Sequence, residues 1–156
     1  MKIFIHKLLE ELEGKVNTIY KDEAGFATIG MGHLLTQDEI YSGKIQIDGK
    51  FIKYEDGLTD DEVYDLLYQD LHKYESVVDV MTTADINFNQ RTALISFCYN
   101  VGMNAFNNST LLKNVNNYKF EQVPDQFMRW VYAGGKKSNI LKNRRKREVE
   151  VWETQV

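Results

Sequence analysis

The sequence has little of the residues that interrupt or cross-link a chain. Pro124 is the only proline among 156 residues, and Cys98 is the only cysteine. A single cysteine excludes an intramolecular disulfide, and without a cysteine cluster no zinc site is expected. The three histidines lie in unrelated settings, so the sequence predicts neither a metal nor another cofactor. Cys98 follows an apolar segment, which indicates a buried thiol that fills space.

Long apolar runs are also missing, because charged residues interrupt the N-terminal segment Met1–Glu11. A secretory signal needs roughly seven or more apolar residues in a row, and a membrane span needs about twenty. We therefore expect synthesis in the cytoplasm and no stable insertion into a membrane. If the substrate lies outside that compartment, another agent must provide access to it.

The charge distribution is uneven. The net charge is −4, yet the segment Lys136–Arg147 has seven basic residues and no acid, leaving twelve basic against 23 acidic residues elsewhere. Such a segment is typical of a solvated helical face, of a surface that attracts an anionic polymer, or of a nucleic-acid arm. Apolar residues at Ile140 and Leu141 favour a packed amphipathic helix over the arm, so we expect no nucleic-acid partner.

The pattern of apolar residues predicts an α+β chain. A first helix is expected over about Ile3 to Glu13, ended by Gly14. Short β-prone runs follow, and Asp48-Gly49 between apolar residues predicts a two-residue hairpin. The residues from about 15 to 57 should therefore form a small β lobe; its β-prone runs are 18–20, 26–29 and 44–47.

From Thr59 onward the pattern is helical. Thr59 and Glu62 form a predicted capping box, and apolar residues from Val63 to Val77 then recur at helical spacing. Further helices are expected near 90–101, 109–116, 121–132 and 142–152. This predicts a single domain over 1–156, with a helical lobe at 1–14 and 58–156. The long helix from Thr59 should join the two lobes, with an active-site cleft between them.

Two acids and a hydroxyl are candidates for chemistry. Glu13 ends a helix at the border of its apolar stripe, where partial burial favours the protonated form that a general acid needs. Glu11 lies at the other border of that stripe, and geometry alone does not separate the two. Asp22 lies in a charged turn, where aspartates usually accept backbone hydrogen bonds. Paired carboxylates also suit glycosidic bond cleavage, and Thr28 is the nearby hydroxyl that could hold water.

The segment Gly30-Met31-Gly32-His33 lacks the lysine and later glycine of a phosphate loop. Its glycines favour a close approach of the backbone to a ligand or another strand. Asp70 falls on the apolar face of the long helix, where a lone carboxylate is unfavourable. His33 could supply its partner, so a structural ion pair is favoured over a metal ligand.

Several segments together resemble the T-even phage lysozymes of glycoside hydrolase family 24, with C-terminal features of the endolysins of lambdoid-type phages. The resemblance covers nearly the whole chain in the family's order. The matching segments are Glu13-Gly14, 20–36, 68–70, 90–97, 99–102, 105–106, 109–112, 127–130, 133–136 and 143–148.

The resemblance implies a lysozyme-like fold and an endolysin. Such an enzyme hydrolyses the β-1,4 bond between N-acetylmuramic acid and N-acetylglucosamine in peptidoglycan, with inversion, to lyse the host cell. It implies Glu13 as the acid, Asp22 as the second carboxylate and Thr28 as the holder of water. Further residues are implied by position: Gly32, Leu34, Tyr99 and Asn100 for substrate binding, and His33 with Asp70 as a supporting ion pair. The resemblance also implies that an arginine pairs with Glu13, with Arg144 as first choice and Arg145 as second.

The resemblance also implies peptidoglycan glycan strands as the partner, a monomeric enzyme, and a holin that opens the inner membrane so that the wall is reached in the periplasm. The basic segment 136–147 could then be attracted to the anionic wall. Three alternatives stay open at this point: a glycan-binding module without activity, a lytic transglycosylase, and direct membrane disruption by the C-terminal segment.

Overall fold

The computed structural model describes residues 1–156. It contains eight α-helices, namely α1 (Ile5–Glu13), α2 (Gln37–Ser42), α3 (Asp60–Met81), α4 (Phe88–Val101), α5 (Met103–Asn107), α6 (Thr110–Asn116), α7 (Val123–Phe127) and α8 (Asn139–Glu153). Its strands are short and antiparallel: β1 (Val16–Lys21), β2 (Ala27–Gly30), β3 (His33–Leu34), β4 (Lys44–Ile47), β5 (Lys50–Lys53), β6 (Tyr132–Ala133) and β7 (Lys136–Lys137). The α+β class predicted from the sequence is confirmed.

The chain divides into two compact units. The small unit comprises residues 9–72, and the large unit comprises residues 1–8 and 73–156. Both boundaries fall inside helices, because α1 and α3 each continue from one unit into the other along the chain. That the 156 residues form a single domain stays a prediction.

The small unit contains most of the β structure. Strands β1, β2 and β3 form one antiparallel sheet in that order, and β4 pairs with β5. The β4–β5 turn at Asp48 and Gly49 has positive φ at both residues, 51° and 79°, as a type I′ turn requires. The predicted hairpin is therefore present, with Ile45 and Ile47 buried on one face.

Helix α3 begins with the capping box that its sequence predicts. The Thr59 amide donates to the Glu62 carboxylate at 2.8 Å, and the Glu62 amide donates to the Thr59 hydroxyl at 3.1 Å. The stripe that follows is buried, with the exceptions of Tyr74 and Val77, which are half-buried. Near the C-terminal end of the helix, Val78 is buried and not Val77. The buried face is therefore shifted by one residue there from the predicted stripe.

The large unit is built around helix α4. Seven consecutive residues, from Thr92 to Cys98, are buried, which marks a helix surrounded on all sides. Phe97 lies edge-on to the rings of Phe106, Phe127 and Trp130 at centroid distances of 5.3–6.4 Å. Cys98 is fully buried, and burial raises the pKa of its thiol to about 12, so the predicted buried thiol is confirmed.

The helix predicted over 121–132 is wrong in its second half. Val123, Phe127 and Val131 are spaced at helical intervals and all are buried, so the periodicity suits a continuous helix. The chain instead leaves α7 after Phe127 and forms the β6–β7 hairpin. Its turn at Gly134 and Gly135 has φ of 57° and 79°, a conformation that glycine adopts without strain.

Candidate active site

Glu13 is the last residue of α1. The helix ends there because Gly14 takes φ of +69° and donates its amide to the Glu10 carbonyl at 3.1 Å, the left-handed stop expected of glycine. Glu13 is half-buried, whereas Glu11 is exposed. Helix geometry alone did not separate these two acids, whereas the resemblance implied Glu13, and the exposure of the two side chains also favours Glu13.

The Glu13 carboxyl group lies directly against Gly32. Gly32 follows Met31 in the turn between β2 and β3, at φ of +84°. A β-carbon built on Gly32 would stand 2.7 Å from Oε2 of Glu13 and 2.9 Å from its Cδ. The glycine therefore permits a close approach, as its sequence context predicts, and the group that approaches is the Glu13 carboxylate.

Asp22 lies in the turn between β1 and β2. Its backbone exchanges hydrogen bonds within the turn, and its Oδ1 accepts the Phe26 amide at 2.8 Å. This is the backbone-acceptor role usual for turn aspartates. This hydrogen bond occupies Oδ1 and fixes the Asp22 side chain. A chemical role for Oδ2 is compatible with it.

Thr28 lies in β2 and is buried. Its hydroxyl donates to the Phe26 carbonyl at 2.9 Å. A hydroxyl has one proton to donate and two lone pairs, so the Thr28 oxygen keeps its capacity to accept a hydrogen bond from water. The Phe26 backbone thus bonds to both candidates: its N–H donates to Asp22, and its carbonyl accepts from Thr28.

Tyr20 stands beside the two candidate acids, and the sequence interpretation missed it. It is the cross-strand partner of Thr28, and partners in antiparallel strands share one face of the sheet. Burial, and then the charges of Glu13 and Asp22, raise the pKa of its phenol. A hydrogen bond from the Gly32 backbone lowers it in part. Nothing in the sequence singled out Tyr20, because tyrosine is common in β-strands of any function.

His33 contacts Asp70, the partner that its position predicts. Nδ1 lies 2.6 Å from Asp70 Oδ2, and Nε2 lies 2.9 Å from Glu39 Oε1. Burial alone would lower the pKa of His33, but the two carboxylates outweigh it and the pKa is raised. Glu39 was missed, although Thr36-Gln37-Asp38-Glu39 has the spacing of a capping box. That box is formed at the start of α2.

The predicted substrate-binding residues lie in both units. Gly32 and Leu34 belong to the small unit, where Leu34 is 54% exposed and pairs with Thr28 across the strands. Tyr99 and Asn100 belong to the large unit. The Tyr99 ring meets Tyr74 edge-on at 5.0 Å, and Asn100 is exposed and contacts Arg145. That all four residues bind one substrate stays a prediction.

A buried charge network lies in the large unit. Glu148 is fully buried and accepts hydrogen bonds from Ser96 Oγ at 2.5 Å, from Arg144 Nε at 3.4 Å, and from Arg145 Nη1. Arg145 Nε donates to the Trp130 carbonyl at 2.9 Å. The pairing of Arg144, or of Arg145, with Glu13 stays a prediction.

The basic segment is only partly a charged surface. Arg144 and Arg145 are buried on Glu148, and Arg147 contacts Glu150 at 3.2 Å. The surface of the segment 136–147 is therefore not uniformly basic, because helix α8 turns two of its arginines into the interior. The exposed cations of the segment are Lys136, Lys137, Lys142 and Lys146.

A family model described as phage lysozyme matches residues 10–148. The chain belongs to the phage lysozyme family. It is 34% identical to the endolysin of Salmonella phage P22 over 90% of this chain and 88% of that one. It is 33% identical to the SAR-endolysin of Escherichia phage Mu, over 92% of this chain and 75% of that one.

Solved structures agree with this family. An endolysin from Escherichia coli O157:H7 phage FAHEc1 has a TM-score of 0.79 at 29% identity, covering 97% of this chain and 92% of that one. A mutant of P22 lysozyme has a TM-score of 0.76 at 30% identity, covering 99% of both chains. The lysozyme-like fold is confirmed, and this lysozyme is a glycoside hydrolase and a peptidoglycan-hydrolysing endolysin.

Proposed function

We propose that this lysozyme cleaves its glycosidic bond with inversion, using Glu13 as general acid, Asp22 as general base and Thr28 as the holder of the attacking water. The observation that carries the proposal is that the backbone of Phe26 hydrogen-bonds to both Asp22 and Thr28, while the Glu13 carboxyl group lies against Gly32 in the turn after the Thr28 strand. Tyr20, the strand partner of Thr28, agrees with this arrangement, because burial, and then the charges of Glu13 and Asp22, raise the pKa of its phenol. All of these groups belong to the small unit.

The roles follow from what each group is bonded to. Glu13, confined by Gly32, would protonate the glycosidic oxygen as the bond to the anomeric carbon breaks. The Thr28 hydroxyl donates its hydrogen bond to the Phe26 carbonyl. Its oxygen would therefore accept a hydrogen bond from water. Asp22 would then take the other water proton as the oxygen attacks from the opposite face, the arrangement of inverting hydrolases.

The remaining residues are proposed as support. Gly32, Leu34, Tyr99 and Asn100 would contact the glycan strand, whose many hydroxyl and amide groups suit a mixture of apolar and polar contacts. The ion pair of His33 with Asp70 would hold strand β3 against helix α3, because His33 belongs to β3 and Asp70 to α3.

We further propose a monomeric enzyme that is made in the host cytoplasm and reaches the periplasmic wall after a holin permeabilises the inner membrane. No helix of the structure has the length and apolar character needed to cross a bilayer. Lysis that needs a co-expressed holin would support this route, and lysis on expression of the enzyme alone would contradict it. Sedimentation equilibrium at the mass of one 18.2 kDa chain would support the monomer.

Anomeric analysis of the first product tests the mechanism. NMR spectra recorded within minutes of mixing with soluble murein fragments should show the inverted anomer before mutarotation. A retained anomer or an anhydro-muramyl end would contradict the role of Asp22 and Thr28. Glu13→Gln should abolish lysis of permeabilised Gram-negative cells, with Glu11→Gln as the matched control that keeps it; equal lysis by both variants would refute the assignment.

A further inference from the structure

The β4–β5 hairpin has one face packed on the small unit and one face open to solvent. On the packed face, Ile45 is 0% and Ile47 is 2% exposed. Side chains alternate along a strand, and cross-strand partners share a face, so the neighbours of these isoleucines point the other way. We call the open side the hairpin face; it consists of two exposed cross-strand pairs, Lys44 with Lys53 and Gln46 with Phe51.

The hairpin is held at both ends by the rest of the small unit. Gln69 of helix α3 donates to the Gln46 carbonyl at 2.9 Å and accepts the Asp48 amide at 3.3 Å. After strand β5, the Tyr54 hydroxyl donates to the Glu39 carbonyl at 2.7 Å. The hairpin face is therefore ordered in the free protein, and a surface that is ordered beforehand loses little conformational entropy when it binds a partner.

The hairpin face brings like charges together. Lys44 and Lys53 are direct cross-strand partners, an arrangement in which like charges destabilise the pair. Neither lysine, nor Lys50 at the start of β5, takes part in an ion pair within the chain. Lysines also protect the edges of short sheets from aggregation, but a lysine opposite an acid would do so and gain an attraction as well. An anionic partner would offset the repulsion that the chain leaves uncompensated.

Phe51 adds an apolar surface beside these charges. Its ring is 70% exposed, and Gln46, a polar residue, lies opposite it. Binding at a membrane surface scales with the apolar area that is buried, and one ring among polar side chains provides little. The negative face of an aromatic ring attracts polarised C–H bonds, such as those of a sugar. One ring flanked by lysines therefore fits an anionic glycan polymer better than a bilayer.

We propose that the hairpin face is an auxiliary murein-binding surface. Its lysines bind carboxylates of the stem peptides, and Phe51 packs on the glycan beside them. The proposal rests on murein being the substrate, but not on the roles of Glu13, Asp22 and Thr28. The hairpin is a sheet of its own, separate from the β1–β3 sheet. Because murein is a polymer, a second contact raises the effective concentration of the enzyme on the wall between cleavage events.

Lys53→Glu separates this role from protection of the sheet edge. The new carboxylate would face Lys44 across the strands, so the variant should be at least as stable as the wild type in thermal unfolding. Its binding to murein should nevertheless weaken about tenfold, because an attraction to carboxylates becomes a repulsion. Lys119→Glu, at an exposed position of the large unit, is the matched control for net charge and should bind within about twofold of the wild type.

Binding is measured by cosedimentation with intact murein sacculi on ice, where unchanged turbidity shows that the sacculi are not digested. The same variants are titrated with glycan strands freed of peptide by an amidase. Lys53→Glu should lose affinity for the peptide-bearing sacculi alone, whereas Phe51→Thr, which keeps a strand-forming residue, should lose affinity for both ligands. Wild-type binding by Lys53→Glu, or equal weakening by Lys119→Glu, would overturn the proposal.

Vesicles with one quarter phosphatidylglycerol test a membrane as the partner. Lys53→Glu that binds sacculi normally but no longer binds these vesicles would also overturn the proposal. On short soluble murein fragments, Lys53→Glu should keep kcat within about twofold, since the hairpin face takes no part in the chemical step. A large fall in kcat would place the face in the catalytic site and contradict an auxiliary role. Because sacculus binding needs no cleavage, its outcome is separate from that of the anomeric product analysis.

Discussion

Glu13 and Gly32 are in such close contact that the space for a β-carbon on the glycine is already taken by the Glu13 carboxyl group, whose Oε2 would lie 2.7 Å away. The glycine therefore forms one wall of the place where the carboxyl group lies. Since the φ of Gly32 is +84°, a larger residue is also strained at this position.

Gly32→Ala should lower kcat by at least about tenfold, because displacement of a catalytic group by an ångström has a large effect on rate. Gly43→Ala is the matched control. It shares the positive φ, 70°, but its β-carbon would meet nothing within 4 Å. Both variants should lose about 1–2 kcal/mol of stability by urea unfolding. Equal activities would mean that Gly32 does not position Glu13.

Thr28→Val and Thr28→Ser separate the hydroxyl from the shape of the side chain. Valine keeps the shape of this buried residue but removes the acceptor for water, so we expect kcat to fall at least about a hundredfold. Serine keeps the hydroxyl and should retain activity within about tenfold. Both are measured on soluble murein fragments, and a valine variant as active as the serine variant would exclude a water-holding role.

Replacement of His33 should destabilise the enzyme in a pH-dependent way. The folded-state pKa of His33 is raised above its ordinary 6.5, so its interaction with Asp70 and Glu39 contributes fully below about pH 6.5 and is lost as pH rises through the raised pKa. His33→Gln should therefore lose about 1–3 kcal/mol at pH 5.5 and less at pH 9. A double-mutant cycle with Asp70→Asn isolates the pair; a coupling energy that does not decrease with pH would contradict the assignment.

Glu148→Gln should be strongly destabilising, by about 3–5 kcal/mol, because it removes the buried carboxylate that accepts hydrogen bonds from Arg144 and Arg145. Glu150→Gln removes an exposed acid from the same helix, whose side chain is 66% exposed beside Arg147. That variant should change stability by less than about 1 kcal/mol. Urea unfolding at low and high salt measures both, and similar losses in the two variants would contradict the buried network.

Local signals in the sequence predicted much of the fold. The Thr59 capping box, the Asp48-Gly49 turn and the stop at Gly14 depend on residues only a few positions apart, and each is present. The His33–Asp70 contact was predicted across 37 residues because a carboxylate on an apolar helix face needs a partner.

Other features depended on contacts that no local pattern encodes. Tyr20 looks like an ordinary strand residue until Glu13 is brought beside it from the preceding helix. Arg144 and Arg145 have helical spacing to Glu148, but that all three side chains are buried depends on the packing of α8 on α4. Helix geometry alone did not choose between Glu13 and Glu11; the resemblance did, and the exposure of the two side chains agrees with it.

The backbone N–H and carbonyl of Phe26 orient Asp22 and Thr28, the two residues proposed to bind and activate water. The Phe26 ring takes no part in these hydrogen bonds and is 63% exposed. The identity of this side chain is thereby uncoupled from the geometry of Asp22 and Thr28. Position 26 can therefore accept a reporter group, such as a dye on an introduced cysteine, a few residues from the reaction. The native thiol of Cys98 is buried and would not compete for the label, so the enzyme can be tagged at position 26 without replacing Cys98.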